Sequence, residues 1–429
     1  MTPDWYYQCI LIEEYRFVKS DSKYNRFLYC IYKKRVIQSG GSNRRGMKSL
    51  KEPLSERAPL LAGLLGFAKK NAVMFIALAA AGVTAILVPF DREYLGYFDV
   101  KTLTCLFCVL AVVGALRNIR FFYILAQRIV RVFRTARMCT LALVYITFIG
   151  SMLIANDMAL LTFLPLGYFV LSAAHKEKHM AFTFVMQNIA ANLGGMLTPF
   201  GNPQNLYLYS KFDIPTGEFM RIMLPPFILA VSLITVCCLF VKNEPMEVPD
   251  EPVKLPPVRT AIYLAAFALS IVIVFRGIPY WIGLIVIPVM LLIMDRRALL
   301  GVDYPLLFTF VFFFVFAGNM SRIPAVREFF SGLLEKNTLV VSALSCQCIS
   351  NVPSAILLSQ FTQDYADLLV GVNIGGTGTL IASLASLITF REYCYHNPDK
   401  KLYYFGVFSA FNFAFLGIML GFMLLMKLL

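Results

Sequence analysis

From Asn71 onward, long apolar runs alternate with short polar or charged breaks, and the runs match the ~20 helical residues that cross a hydrocarbon core of ~30 Å. Single crossings are expected at 71–89, 102–116, 183–208, 222–241, 260–275, 281–294, 304–319, 368–389 and 403–426. Nine crossings would put the two ends of the chain on opposite sides of a membrane. Two further apolar stretches, 138–173 and 338–361, have flanks of one character at both ends. They are expected to enter and leave by one face, as re-entrant helical hairpins.

Charge sets the orientation. Arg117, Arg120, Arg128, Arg131, Arg134 and Arg137 precede the first stretch with no acid among them, and His175, Lys176, Lys178 and His179 follow it. Basic flanks favour the cytoplasmic side. The segment 117–137 is itself basic and amphipathic, the pattern of an arm lying along the membrane interface. Glu328, Glu335, Lys336, Asp364 and Asp367 around the second stretch suit the outer face. The expected protein is all-α and polytopic, in the cell (cytoplasmic) membrane, with its N-terminus inside and its C-terminus outside. Loop 242–258, with Pro245, Pro249, Pro252, Pro256 and Pro257, reads as a semi-rigid linker. The expected organisation is a cytoplasmic extension over 1–70, a first repeat over 71–241, a linker and connecting helix over 242–280, and a second repeat over 281–429.

Composition narrows the function classes. Hydrophobic residues make up 59% and charged ones 15%, where a soluble domain carries about 25% charged residues, so a soluble enzyme is a poor fit. The net charge of +14 sits in short loop clusters beside apolar runs, which argues for a lipid bilayer as partner and against nucleic acid. Cys105 and Cys108 form a CxxC pair without His or acidic neighbours and read as buried small side chains. The three histidines, His175, His179 and His396, fall in loops and read as solvated. No catalytic triad, metal set or cofactor motif emerges, so an enzyme is not expected. No signal-peptide pattern is evident near the N-terminus, and Met47, after Ser39-Gly40-Gly41-Ser42, is an alternative start.

Three internal matches occur in the same order. Asp99, Leu103, Gly114 and Ile119 correspond to Asp303, Leu307, Gly318 and Ile323 at an offset of 204. Asn156 corresponds to Asn351 at an offset of 195, near the middle of each expected hairpin. Asn192-Leu193-Gly194-Gly195, with Thr198, corresponds to Asn373-Ile374-Gly375-Gly376, with Thr379, at 181. In the expected topology Asp99 precedes a helix running inward and Asp303 one running outward, so the copies are inverted. Such pairs characterise secondary transporters, whose two arrangements supply inward-open and outward-open states.

Gly194, Gly195 and Gly201 weaken a helix, and Pro199 and Pro203 remove donors, so the first matched run is expected to break at membrane depth. Irregular backbone survives there only if it lines a polar cavity or is buried in protein. Half-helix N-termini suit an anion, and freed carbonyls suit Na⁺. Asn156, Asn192, Asn351 and Asn373 could serve a cation, an anion or the backbone, and with Thr198, Thr379, Ser350 and Ser354 they form the expected binding shell, Na⁺ lying near the four asparagines. The competing reading is that these small polar residues only join closely packed helices. Asp157, the one carboxylate of the first hairpin, is expected to bind the coupling Na⁺ or H⁺; its mate in the other copy is Val352.

Ala155-Asn156-Asp157, Asn192 to Gly195 through Gly201-Asn202-Pro203-Gln204-Asn205, Ser350-Asn351-Val352-Pro353 and Asn373 to Leu380 together resemble the ion transporter superfamily of citrate transporter-like permeases, divalent anion/sodium symporters, arsenite permeases and a class of Na⁺/H⁺ antiporters. The resemblance covers roughly 70–426. It implies a homodimer with one site per protomer, two re-entrant hairpins meeting two broken helices, and elevator-type movement against a fixed scaffold. It adds Asn202, Pro353, Gly375, Gly376 and Thr377 to the candidate residues. Ala-Asn-Asp at the first tip and Ser-Asn-Val at the second depart from the Ser-Asn-Thr tips of dicarboxylate symporters and look more like the arsenite permease and antiporter branches. The expected function is secondary transport of a small anion, a carboxylate or inorganic oxyanion, coupled to Na⁺ or H⁺. A Na⁺/H⁺ antiporter is the alternative, and a channel fits less well.

Overall fold

The structure, a computed structural model, describes Phe67, residues 71–246 and residues 255–428. The expected extension, the alternative start at Met47, and Pro249 and Pro252 of the linker lie outside the described residues. Among the described residues secondary structure is helical, apart from one isolated bridge between Thr135 and Pro245.

Helix α1 spans Ala72–Leu87, and a 3-10 turn, Arg92–Tyr97, leads to α2, Val100–Asn118. The basic segment carries a short helix α3, Phe121–Val130, whose face bearing Phe122, Ile124, Ala126 and Val130 is buried. The first expected hairpin consists of α4, Ala136–Ile154, and α5, Asn156–Ala173, joined at Ala155 alone and packed together. The run expected at 183–208 is interrupted. Helix α6, Met180–Gly194, gives way to a 3-10 turn over Gly195–Leu197 and non-helical backbone before α7, Pro203–Lys211. Helix α8, Thr216–Leu239, precedes the linker.

Beyond the linker come α9, Pro257–Val274, α10, Tyr280–Met294, the single turn α11, Arg296–Leu300, and α12, Tyr304–Arg322. Helix α13, Pro324–Ile349, is interrupted at Asn337, whose side chain accepts from Val340 N at 2.9 Å and so starts a new helix where the second hairpin was expected. Its other arm, α14, Asn351–Leu358, has eight residues against eighteen in α5, so the two hairpins differ in length. The run expected at 368–389 is also broken, into α15, Tyr365–Ile374, and α16, Leu384–His396, and α17, Lys401–Leu428, closes the chain. Among the described residues seven elements, α2, α4, α5, α8, α9, α12 and the α17 region, are long and apolar enough to cross a membrane.

These helices form because hydrocarbon offers the backbone no outside partner, and their ends are fixed by polar caps. Asp99 accepts from Thr102 N at 2.9 Å and Asp303 from Leu306 N at 3.0 Å. Residues Ile76–Leu429 pack as one unit in which the expected halves interleave. Helix α7 of the first lies against α14 and α15 of the second, while α16 covers α5 and α6. Cys105 and Cys108 are buried in α2, as expected.

The helix ends are tied reciprocally. Asn118, at the end of α2, donates to Asp295 at 3.0 Å; Arg322, at the end of α12, grips Asp91 at 2.5 Å and Glu93 at 3.1 Å. Asn118 and Arg322 are 204 residues apart, and so are Asp91 and Asp295. Removing either cap in Asp99→Ala or Asp303→Ala should lower stability by about 1 kcal/mol, visible as a lower Tm of the purified protein; unchanged melting in both would contradict this account of the helix starts.

Candidate functional site

The breaks and tips converge on a cluster of amides. At the first tip Ala155 has φ 67° and ψ 152°, and at the second Ser350 has φ 73° and ψ 159°. That region is close to glycine-only, so each tip holds about 1–3 kcal/mol of strain. Each is followed by an Asn whose side chain accepts from the next backbone N–H, Asn156 from Asp157 at 3.0 Å and Asn351 from Val352 at 2.9 Å. The second tip is fastened further, Asn351 N donating to Ala382 O at 2.9 Å.

From the first tip, Asn156 Nδ2 reaches Asn192 Oδ1 at 3.3 Å. Asn202 Nδ2 donates to Asn192 O at 3.2 Å and to Asn373 Oδ1 at 3.0 Å, joining the two breaks directly. Asn373 Nδ2 donates to Asn205 Oδ1 at 2.6 Å. Asn205 Nδ2 in turn satisfies carbonyls freed by the first break, Gly195 O at 3.1 Å and Met196 O at 3.2 Å. A Cβ on Gly376 would stand 3.3 Å from Asn351 Nδ2 and 3.5 Å from Asn192 Oδ1, so the second tip faces the same place. All four tip and break asparagines are buried.

The correspondence of the halves extends to contacts. Asn192 Nδ2 bonds Asn188 O at 3.1 Å, and Asn373 Nδ2 bonds Leu369 O at 2.8 Å, four residues back in both. Thr198 Oγ1 donates to Met152 O at 2.8 Å and Thr379 Oγ1 to Gln347 O at 3.1 Å. Gly194 lies against Phe148 and Ser151, and Gly375 against Ala343 and Cys346, in each case 195 residues on. Gly195 and Gly201 press on each other, Gly195 also on Asn202 and Gly201 on Thr198, so neither has room for a side chain.

Other expected residues stand outside the cluster. Ser354 is buried against Ser345, 2.9 Å between hydroxyls, and Thr377 bonds its own turn at Ile374 O, 2.6 Å. Pro353 is buried in the first turn of α14, and Ser350 Oγ lies 3.3 Å from both Asn351 Oδ1 and Ala382 O. Gln347, Asn205, Gln204 and Asn188 were not foreseen. Gln347 spans the second break: its Nε2 donates to Gly375 O at 2.8 Å and Thr377 O at 3.0 Å, and its Oε1 accepts from Thr379 N at 2.8 Å. The position equivalent to Gln347 in the first half holds Met152.

The residues of this cluster include no Lys, Arg or His; Asp157 is the ionisable one, and its Oδ1 is buried without a hydrogen-bond partner. Asn202 Oδ1 and Gln204 Oε1 are likewise buried acceptors without partners. These three unpartnered buried atoms are all oxygens, the kind of ligand that suits a bare cation. Two of the histidines are only partly solvated, where full solvation was expected. His396 stacks on Tyr168 with ring centres 3.5 Å apart and contacts Glu392 at 3.2 Å, and Nε2 of His179 is buried.

The sequence pattern of the citrate transporter family, CitMHS, matches residues 64–371, a span that contains the first tip, the first break and the second tip. The chain belongs to this family. An uncharacterized transporter of Methanocaldococcus jannaschii is 30% identical over 330 residues, 75% of this chain and 90% of the relative. The inner membrane protein YbiR of Escherichia coli is 27% identical over 318 residues, 72% of this chain and 84% of the relative. As a citrate transporter family member, the chain is a multi-span membrane transporter.

Close packing gives a test of the break geometry. A Cβ at Gly194 would strike the Phe148 carbonyl and one at Gly375 would stand 2.8 Å from Cys346 Sγ, whereas one at Gly417 meets nothing within 4 Å. Gly194→Ala and Gly375→Ala should each destabilise by about 1–3 kcal/mol, while Gly417→Ala in α17 should be neutral or stabilising by up to about 1 kcal/mol. Thermal unfolding in detergent reads the order, and equal melting of all three would refute the packing.

Proposed function

We propose that the chain is a secondary active transporter that moves a small anion, a carboxylate or an inorganic oxyanion, across the cell membrane together with Na⁺ or H⁺. The observation that carries this reading is the meeting of two strained tips and two broken helices at one amide cluster, with Asn202 bonded to both breaks. Helix α5 starts at its tip without a cap from Ala155, and its first turn keeps N–H groups, at Asn156 and Met158, that suit an anion; in α14 the equivalent groups are taken by Ala382 O and Asn351 Oδ1 or absent at Pro353. The unpartnered oxygens of Asp157, Asn202 and Gln204 suit the coupling cation, whose charge would offset that of the anion.

Contacts repeated at offsets of 204, 195 and 181 support two copies of one motif, and the charge pattern supports their inverted threading, hairpins that turn back at Ala155 and Ser350, and an N-terminus inside. On this reading the tips and breaks travel together against a scaffold of α2, α9 and α10, which pack on one another, in an elevator-type cycle. The family relationship supports transport in general. The anion and the coupling ion belong to the proposal.

A Na⁺/H⁺ antiporter is the second reading, favoured by the buried Asp157 Oδ1 and by the lack of Lys, Arg or His in the cluster. Proteoliposomes separate the two. Uptake of labelled carboxylate, sulfate, phosphate or arsenite driven by a Na⁺ or H⁺ gradient supports anion transport. Collapse of a pH gradient by Na⁺ with no anion uptake supports the antiporter. In either case Asp157→Asn should reduce coupled flux at least tenfold and flatten its pH dependence while the protein still folds. Wild-type rate and pH profile in that variant would remove Asp157 from the coupling step.

A further inference from the structure

Away from the central cluster, where α6 begins and α8 ends, lies a cavity of about 460 Å³ lined chiefly by Lys178, His179, Phe182, Phe240, Lys242 and Phe411. The segment after α8 builds one wall by folding back over the start of α4. Ala136 N donates to Glu244 O at 2.8 Å, Met246 N to Arg134 O at 2.9 Å, and Arg137 Nε to Val241 O at 2.8 Å. Glu244 pairs with Lys176 at 2.8 Å and Lys178 at 2.5 Å, and those hydrogen bonds hold its carboxyl down to about 2.

Three lysines, 176, 178 and 242, thus surround one carboxylate beside His179. Lys242 makes no ion pair among the described residues, and His179 Nε2 is buried without a hydrogen-bond partner. Beneath this positive rim the lining is aromatic: Phe182 and Phe411 meet edge to face at 5.5 Å. Phe240, 83% exposed, stands where a helix long enough to cross the membrane ends.

We propose that this cavity binds an anionic phospholipid, its phosphate held by Lys178, Lys242 and His179 and an acyl chain laid over Phe182, Phe240 and Phe411, bracing α6, α8 and α17. The phosphate explains the excess of cations and the unmatched imidazole nitrogen. The chain explains an exposed phenyl ring beside lysines, which a soluble anion would not need. Lysine stems can lie along the rings while their ammonium groups reach the phosphate.

The full-length protein in nanodiscs tests this. Replacing part of a phosphatidylcholine bilayer with phosphatidylglycerol should raise Tm, and the rise should vanish in the Lys178→Gln/Lys242→Gln double variant, whose Tm in pure phosphatidylcholine stays near wild type. A second readout keeps the test valid if that variant folds poorly. A Phe240→Trp reporter, with Trp5 and Trp281 replaced by Phe, should be quenched several-fold more by brominated phosphatidylglycerol than by brominated phosphatidylcholine. Equal response to the two lipids, or stabilisation by inorganic phosphate matching that by phosphatidylglycerol, would overturn the proposal.

Discussion

A peptide group that leaves a helix inside hydrocarbon must find its hydrogen bonds within the protein, and the centre of this molecule is organised by that requirement. Each break in α6–α7 and α15–α16 frees carbonyls, and amide side chains close them: Asn205 at Gly195 and Met196, Gln347 at Gly375 and Thr377. An amide that donates from one end leaves its oxygen to receive a neighbour or a cation. The breaks can then sit side by side, Asn202 and Asn373 bridging them. Glycines follow from the same closeness, since the facing backbones at Gly194 and Gly375 leave no room for a methyl group.

The tips are the second consequence. Ala155 and Ser350 hold a conformation that costs non-glycine residues free energy, and hairpin packing imposes it twice. The gain is direction: the turn aims the starts of α5 and α14 at the breaks. Neighbouring Asn156 and Asn351 absorb the backbone N–H that the turn exposes.

Much of this was legible in the sequence. Gly-Gly runs, with Pro199 and Pro203 beside the first, mark where a helix cannot continue, and both expected interruptions occur in the structure. The start of the second hairpin near 338 coincides with the interruption of α13 at Asn337. Other features left no local signal. Asn205 stands within the Gly201–Asn205 motif and Gln347 is an isolated amide, but the bonds that define both are made to other elements or to the other half of the chain and cannot be read from their neighbours in sequence. His179 and His396 looked solvated because their neighbours in sequence are charged. Tyr168, 228 positions before His396, covers one ring, and the folded-back linker segment brings Glu244 and Lys242 near the other.

Gln347 is a further point at which the two matched segments differ. It staples the second break with three bonds, where Met152 in the first half can offer only its backbone carbonyl to Thr198. Two identical halves would give opposite-facing conformations of equal free energy, populated evenly without a gradient. In the transport cycle proposed above, one stiffened half would remove that degeneracy and make one facing state the more populated at rest; the bias would set how often each face is visited, while the gradients alone set the direction of net flow.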